Sequence, residues 1–299
     1  MNYRKFIWPP KARPGRRLSW AFKRLAGLLI VFGLLSAVIT LFFTDRLIFH
    51  PLAEVWETPA NYGLKYEEIE LQSPEGLILK AWDLPAPPGA VSPRTVLLFQ
   101  GNSGNMAMMS SRLFLLHSLG LRALTVDYPG YGASQGRPSE TRVYQAAEAL
   151  RQWALSHGSR PEDLILYGYS LGGGVASYLA ERHPPAALIL DSTFTRLSEV
   201  PADALPWLAP YFRLALGDAF DSRSRLAEIR CPLLILHSPG DEVVPFALGE
   251  ELFQAYRNNY KDLAVGRGGH VDFLLNKDLY RAGIQRLLAV SAPAGGQGH

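Results

Sequence analysis

The segment Leu166-Tyr167-Gly168-Tyr169-Ser170-Leu171-Gly172-Gly173-Gly174 sets a serine between two glycines, after an apolar run and before a run of small residues. A buried strand is predicted over 163–167 and a helix body over 175–180, so Ser170 falls where a strand turns sharply into a helix. That is the G-x-S-x-G nucleophile elbow. Its turn demands a strained backbone at the serine, and glycine at 168 and 172 removes the Cβ atoms that would collide where strand and helix nearly touch. Such a serine can attack an electrophilic centre and hold the transferred group on its oxygen.

A hydroxyl is a poor nucleophile near neutral pH, so a base must take its proton and a carboxylate must orient that base. Of the seven histidines, His270 stands in Gly268-Gly269-His270, between the last predicted strand (262–265) and the last predicted helix (271–290). His50 lies close to the apolar amino-terminal run, His117, His157 and His183 fall in or near helix ends, His237 ends a strand, and His299 is in the tail. For the carboxylate, Asp241 sits in a tight turn after an apolar strand, Glu242 is its neighbour, and Asp191 ends the preceding strand. A tetrahedral intermediate also requires two N–H donors. Leu171, the residue after the nucleophile, supplies one; the loop Gln100-Gly101-Asn102-Ser103-Gly104-Asn105 supplies the other through Asn102, with Ser103 as the alternative. This loop lacks the lysine and the spacing of a phosphate-binding glycine loop.

Five motifs in order carry a resemblance: Gln100 to Asn105, Asp127-Tyr128-Pro129-Gly130-Tyr131-Gly132-Ala133-Ser134-Gln135-Gly136, the elbow, Ser238-Pro239-Gly240-Asp241-Glu242-Val243-Val244-Pro245, and Gly269-His270. Residues 66–288 resemble the α/β-hydrolase superfamily, and within it the membrane-anchored abhydrolase or serine aminopeptidase-like branch. The resemblance implies the chain order serine, acid, histidine, hence Ser170, Asp241 and His270 as catalytic residues, with Leu171 and Asn102 as the oxyanion hole. It implies no cofactor and no metal. Two positions depart from the family pattern: Gln100 stands where histidine is usual, and Ser238 where glycine is usual.

The elements that must position these residues alternate as strand and helix. Strands are expected at 95–100, 122–127, 163–167, 186–191, 232–237 and 262–265, with helices near 105–119, 139–157, 172–183, 245–257 and 271–290. Such alternation predicts a mostly parallel central sheet flanked by helices on both faces. Ahead of it, 66–72 and 77–84 alternate around Ser73-Pro74-Glu75-Gly76 as an antiparallel hairpin. Between 192 and 228 the pattern breaks into short helical pieces with three prolines and the cluster Trp207, Leu208, Tyr211 and Phe212. We read this as a small helical cap, with Trp207 and Phe212 as candidate substrate contacts; an ordinary connecting helix is the alternative.

Residues 25–44 hold 20 consecutive uncharged positions, about 30 Å as a helix, the thickness of a bilayer's hydrocarbon core. Eight basic and no acidic residues precede them, which leaves 22 basic against 27 acidic residues in the remainder, a net of −5. The positive charge belongs to the tail. A single-pass transmembrane anchor is therefore expected, amino terminus in the cytoplasm and catalytic domain outside it, in the periplasm or its equivalent. A cleaved signal peptide is the alternative, though its apolar core is usually ~7 to 15 residues. The expected division is a basic tail (1–24), the anchor (25–44), a connector (45–65), the α/β-hydrolase domain (66–290) with its cap, and a disordered tail (291–299).

The mildly acidic remainder has no basic stripe interleaved with aromatics, so no nucleic-acid partner is expected. The single cysteine, Cys231, precludes an intrachain disulfide and reads as a small buried hydrophobe. Together these features predict a membrane-anchored serine hydrolase acting through an acyl-enzyme on a carboxylic ester or thioester, acylated or lipid-like, with the bilayer as its other partner. A peptidase or aminopeptidase of the same fold is the alternative with the same chemistry, and a non-catalytic membrane scaffold the alternative without it.

Overall fold

Apolar runs rich in Leu, Ile and Val, each five or six residues long, pair into one sheet because helices cover both of its faces. The computed structural model describes residues 22–28, 30–33, 45–90, 94–200, 209–258 and 260–291. The chain divides into two units, Met1–Thr44 and Asp45–His299.

The second unit begins with β1 (His50–Pro51), β2 (Glu67–Gln72), β3 (Ile78–Leu84), β4 (Thr95–Phe99) and β5 (Ser103–Gly104). It continues through helix α1 (Ser110–Ser118), β6 (Arg122–Val126), α2 (Glu140–Ser156), β7 (Leu164–Tyr169), α3 (Leu171–Arg182) and β8 (Ala187–Asp191). After α4 (Ala209–Leu216) and α5 (Ser222–Leu226) come β9 (Leu233–His237), α6 (Phe246–Ala255), β10 (Lys261–Val265) and α7 (Lys277–Val290). Eight strands form the main sheet in the order β10-β9-β8-β7-β4-β6-β3-β2, and β1 pairs with β5 apart from it. The β2–β3 and β3–β6 pairings are antiparallel; the others in the sheet are parallel. This is an α/β-hydrolase arrangement.

The period of two along each strand sorts the core into two layers. Leu97, Phe99, Leu166, Leu188, Leu190 and Ile235 face one helical layer with Val143, Leu150 and Val175. Val96, Leu98, Ile165, Tyr167, Ile189 and Leu236 face the other with Leu113, Leu116 and Ile284. The hairpin turn before β3 closes with Gly76 at φ 80° and Leu77 N–H donating to Ser73 Oγ at 3.2 Å. The last helix starts at Lys277 rather than Val271, because a single 3-10 turn, Phe273–Asn276, precedes it. Cys231 is buried and free, and burial pushes its thiol up to about 12.

In the first unit, residues 22–28 and 30–33 are helical. Among the described residues, no helix is long and apolar enough to cross a membrane. Residues 29 and 34–44 of the expected anchor lie outside the described residues, as do Trp207 and Leu208 of the expected cap and residues 292–299 of the expected tail.

Candidate active site

Every strand that feeds the site ends at the same edge of the sheet, so the loops after β4, β7, β9 and β10 meet there. Ser170 follows β7 with φ 52° and ψ −120°, a conformation L-residues rarely adopt. The surroundings hold it there. Its N–H donates to Asp191 O at 2.8 Å, and its carbonyl accepts from Thr193 Oγ1 at 2.7 Å and Gly173 N–H at 2.9 Å. A Cβ on Gly168 would overlap the Gly172 backbone, and one on Gly172 would overlap the Phe99 carbonyl at the end of β4. The first glycine lets helix meet strand; the second lets the helix meet the neighbouring strand as well.

His270 lies across from the serine. Its Nε2 is 3.0 Å from Ser170 Oγ, and its Nδ1 is 2.8 Å from Asp241 Oδ2. A carboxylate only accepts, so Nδ1 carries the proton and Nε2 presents its lone pair to the serine hydroxyl. The histidine's backbone is tied on both sides: its N–H donates to Glu242 Oε2 at 3.2 Å, and its carbonyl accepts from Tyr169 Oη at 3.1 Å.

Asp241 is buried, yet its Oδ1 accepts from the N–H groups of Val243 at 2.9 Å and Val244 at 2.8 Å. Burial alone would raise its pKa. Hydrogen bonds from His237 and His270, the charge His270 can carry, and the Val244 N–H outweigh burial and hold the carboxyl well below the usual carboxylate range. His237 Nε2 lies 3.3 Å from Asp241 Oδ2 and 3.0 Å from Val244 O, so a second imidazole fixes the acid loop. This role was not read from the sequence, although the spacing of four between His237 and Asp241 after a strand end was the available signal.

Asp191, another carboxylate left open by the sequence, is elsewhere. Its Oδ2 accepts from Arg112 Nε at 2.9 Å and Tyr167 Oη at 2.9 Å, and its Oδ1 from Tyr280 Oη at 2.6 Å. Glu242 binds the His270 backbone and not its ring.

The 100–105 loop packs directly on the serine: a Cβ on Gly101 would sit 3.3 Å from Ser170 Cβ. Asn102, one residue on, has its side chain donating to Ile48 O at 2.9 Å. Its carbonyl accepts from His50 N–H at 2.8 Å and Tyr131 Oη at 2.5 Å. Leu171 opens α3, whose first N–H groups have no partner within the helix. Asp127 Oδ1 accepts from Met106 N–H at 2.7 Å and, more weakly, from Gln100 Nε2 at 3.4 Å, and so pins both ends of this loop. Phe212, in α4, is half-buried and makes its ring contact with Tyr211 at 5.9 Å; no described contact joins it to Ser170. Among the described residues, no group of acidic, histidine and cysteine side chains could hold a metal ion.

The α/β-hydrolase fold family model matches residues 94–224. An uncharacterized protein of Mycobacterium tuberculosis is 35% identical over 264 residues, covering 87% of this chain and 93% of its own length. The α/β-hydrolase domain-containing protein WAV2 of Arabidopsis thaliana is 32% identical over 227 residues, 68% of this chain and 72% of WAV2. The chain belongs to the α/β-hydrolase family. Another hydrolase-fold relative, the lysophosphatidylserine lipase ABHD12 of Danio rerio, is 38% identical over 177 residues, 53% of this chain and 46% of ABHD12. Among solved α/β-hydrolase structures, an esterase of Pyrococcus furiosus superposes with a TM-score of 0.66 at 18% identity, covering 81% of this chain and 98% of the esterase.

Proposed function

We propose that this α/β-hydrolase is a serine hydrolase that cleaves a carboxylic ester or thioester through an acyl-enzyme, with Ser170 as nucleophile, His270 as base and Asp241 as the acid that orients it. The observation that carries the reading is the single imidazole bridging Ser170 Oγ at 3.0 Å and Asp241 Oδ2 at 2.8 Å. Ser170 Oγ attacks the acyl carbonyl carbon while its proton passes to His270 Nε2. The charge that develops on imidazolium is balanced by Asp241, already held ionised. The N–H groups of Leu171 and Asn102 receive the oxyanion. Collapse of the intermediate expels the alcohol or thiol, which takes the proton from His270, and a water molecule then repeats the sequence to free the acid and restore the serine.

The substrate class we favour is acylated or lipid-like. Three features support it: the uncharged stretch 25–44 as a single-pass anchor, with the amino terminus inside and the catalytic unit outside the cytoplasm; the apolar 192–228 segment, where Trp207 and Phe212 would contact an acyl chain; and the similarity to ABHD12, which is named for a lysophospholipid substrate. The test is labelling with a fluorophosphonate, followed by turnover of p-nitrophenyl esters of increasing chain length. One label per chain, absent from Ser170→Ala, and rates that climb with acyl length are expected. Undiminished labelling of Ser170→Ala would refute the assignment.

A further inference from the structure

The exposed apolar side chains of the second unit are distributed unevenly. Three of the four segments that carry a proposed site residue, all but the Ser170 elbow, also turn large apolar groups into solvent. Beside the Asn102 loop run Leu52 and Trp56, beside Asp241 stands Val243, and after His270 come Val271, Leu274 and Leu275, the last two 71% and 72% exposed. The first pair is fixed to its loop: Leu52 N–H donates to Gly104 O at 2.9 Å, Asn105 Nδ2 donates to Leu52 O at 3.0 Å, and a Cβ on Gly104 would lie 3.3 Å from the Trp56 ring. Val265 at the end of β10, Val55 in the connector and Leu214 in α4 are exposed as well, whereas Val290, at the end of α7, lies at the opposite end of the strands. Exposed apolar side chains contributed by separate loops at the edge of the sheet that carries the site mark an interaction face rather than scattered exposure.

The chain itself indicates what covers it. The 20 uncharged residues end at Thr44, and Leu47 and Leu52 follow three and eight positions later. At most about 3.6 Å per residue, those positions lie within about 11 Å and 29 Å of the end of that segment. If that segment spans a bilayer, Leu47 and Leu52 are tethered within those distances of its end. Aliphatic side chains together with a tryptophan are the composition found at the depth of the lipid headgroups.

We propose that Leu52, Trp56, Val243, Val271, Leu274 and Leu275 bed into the bilayer surface, so that the Ser170 site opens onto lipid and takes its acyl substrate laterally from the membrane. The proposal rests on the anchored-hydrolase reading above. A substrate carboxyl group held at the headgroup level would then enter with its acyl chain still in the lipid, and the apolar chain need not cross water.

The full chain is reconstituted in phosphatidylcholine nanodiscs containing doxyl-labelled lipid, in a Cys231→Ala background that removes its one cysteine. An environment-sensitive fluorophore is attached through Leu275→Cys or Val271→Cys, and through Glu162→Cys in the exposed 3-10 turn ahead of β7. Doxyl quenching at 271 and 275 should exceed that at 162 at least fivefold; equal quenching overturns the docking face. The double variant Leu274→Ser with Leu275→Ser should turn over a long-chain acyl ester in the nanodisc about 10-fold more slowly, with p-nitrophenyl acetate hydrolysis unchanged. Equal loss on both esters would also overturn it. Strong quenching at 275 in the labelled variant, together with a wild-type chain that takes no fluorophosphonate, would instead sink the hydrolase reading and leave the docking face standing.

Discussion

The Arg112 guanidinium and the Asp191 carboxylate form a buried pair, Nε to Oδ2 at 2.9 Å, directly beneath the residue that precedes the nucleophile. The guanidinium carbon lies 4.0 Å from the centroid of the Tyr169 ring and 4.7 Å from that of Phe273. Asp191 is thus saturated by Arg112, Tyr167 and Tyr280, and it braces the floor of the site rather than the histidine. Asp241 and Asp191, two of the three carboxylates weighed from the sequence, should therefore fail differently. Asp241→Asn should lower kcat by on the order of 10⁴, because the imidazole loses the partner that fixes its tautomer. Asp191→Asn leaves a buried guanidinium uncompensated and should cost roughly 3 to 5 kcal/mol of stability, with far smaller loss of kcat per folded molecule. Urea titration and active-site-normalised kinetics on both variants separate the two roles; the reverse pattern would exchange them.

The backbone at Ser170 gives a second expectation. At φ 52° any side chain is strained, and such residues store on the order of 1 to 3 kcal/mol. Ser170→Ala and Ser170→Gly should both abolish acyl transfer, with kcat down by on the order of 10⁴ to 10⁶. Only the glycine variant relieves the strain, so it should be the more stable of the two by about 1 kcal/mol, opposite to the usual ranking of these residues. Differential scanning calorimetry decides this, and equal melting points would show that the elbow is not under strain.

Local chemistry was readable from the sequence, and contacts between distant segments were not. The elbow announces itself because its requirement for glycine is met within five residues, and His270 because a Gly-Gly turn between a strand and a helix is also local. The sequence favoured Asp241, but what Asp191 does instead rests on Arg112 and Tyr280, 79 positions before and 89 after it, and no pattern in one sequence pairs residues so far apart. The same holds for the connector. The sequence marks 45–65 only as a connector, and the β1–β5 pairing shows that it holds the Asn102 loop. Tyr169 escaped notice because its hydroxyl acts on the backbone of a distant residue, whereas His237 left the one local signal of its spacing from Asp241.

Tyr169 is the next test of that floor. Its hydroxyl donates to the carbonyl of His270 at 3.1 Å, and its ring lies 5.2 Å from the imidazole. Tyr169→Phe keeps the ring and its contact with Arg112 but frees the carbonyl. The lost bond is a neutral one worth about 0.5 to 1.5 kcal/mol, so kcat should fall roughly 3- to 10-fold if histidine placement depends on it. KM should be unchanged, since the hydroxyl faces the backbone and not the substrate. An unchanged kcat in steady-state assays would mean that Glu242 alone suffices to hold the histidine loop.

Asp127 makes stability depend on pH in a direction opposite to that of Asp241. Burial, only partly offset by the Met106 N–H and the Gln100 side chain, raises its pKa from 3.8 to about 7. Among the described residues its Oδ2 has no hydrogen-bond partner, and no arginine, lysine or histidine pairs with it. Gln100, in the position where histidine is usual, cannot supply the missing charge. A carboxyl whose folded pKa lies above its unfolded pKa binds its proton more tightly in the folded state, so stability is full below about pH 4 and declines as pH rises to about 7. Asp241, with its depressed pKa, contributes stability that is lost only as pH falls below about 4, so it stays constant across this window. Asp127→Asn keeps an oxygen to accept from Met106 and removes the ionisation. The variant should be more stable than wild type at pH 8 by a few kcal/mol, with the advantage fading at pH 5. Urea denaturation of both proteins at the two pH values measures the difference directly. Identical pH slopes would mean that the carboxyl is solvated well enough to ionise without cost, and that the oxyanion loop it supports is correspondingly looser than the buried hydrogen bond to Met106 implies.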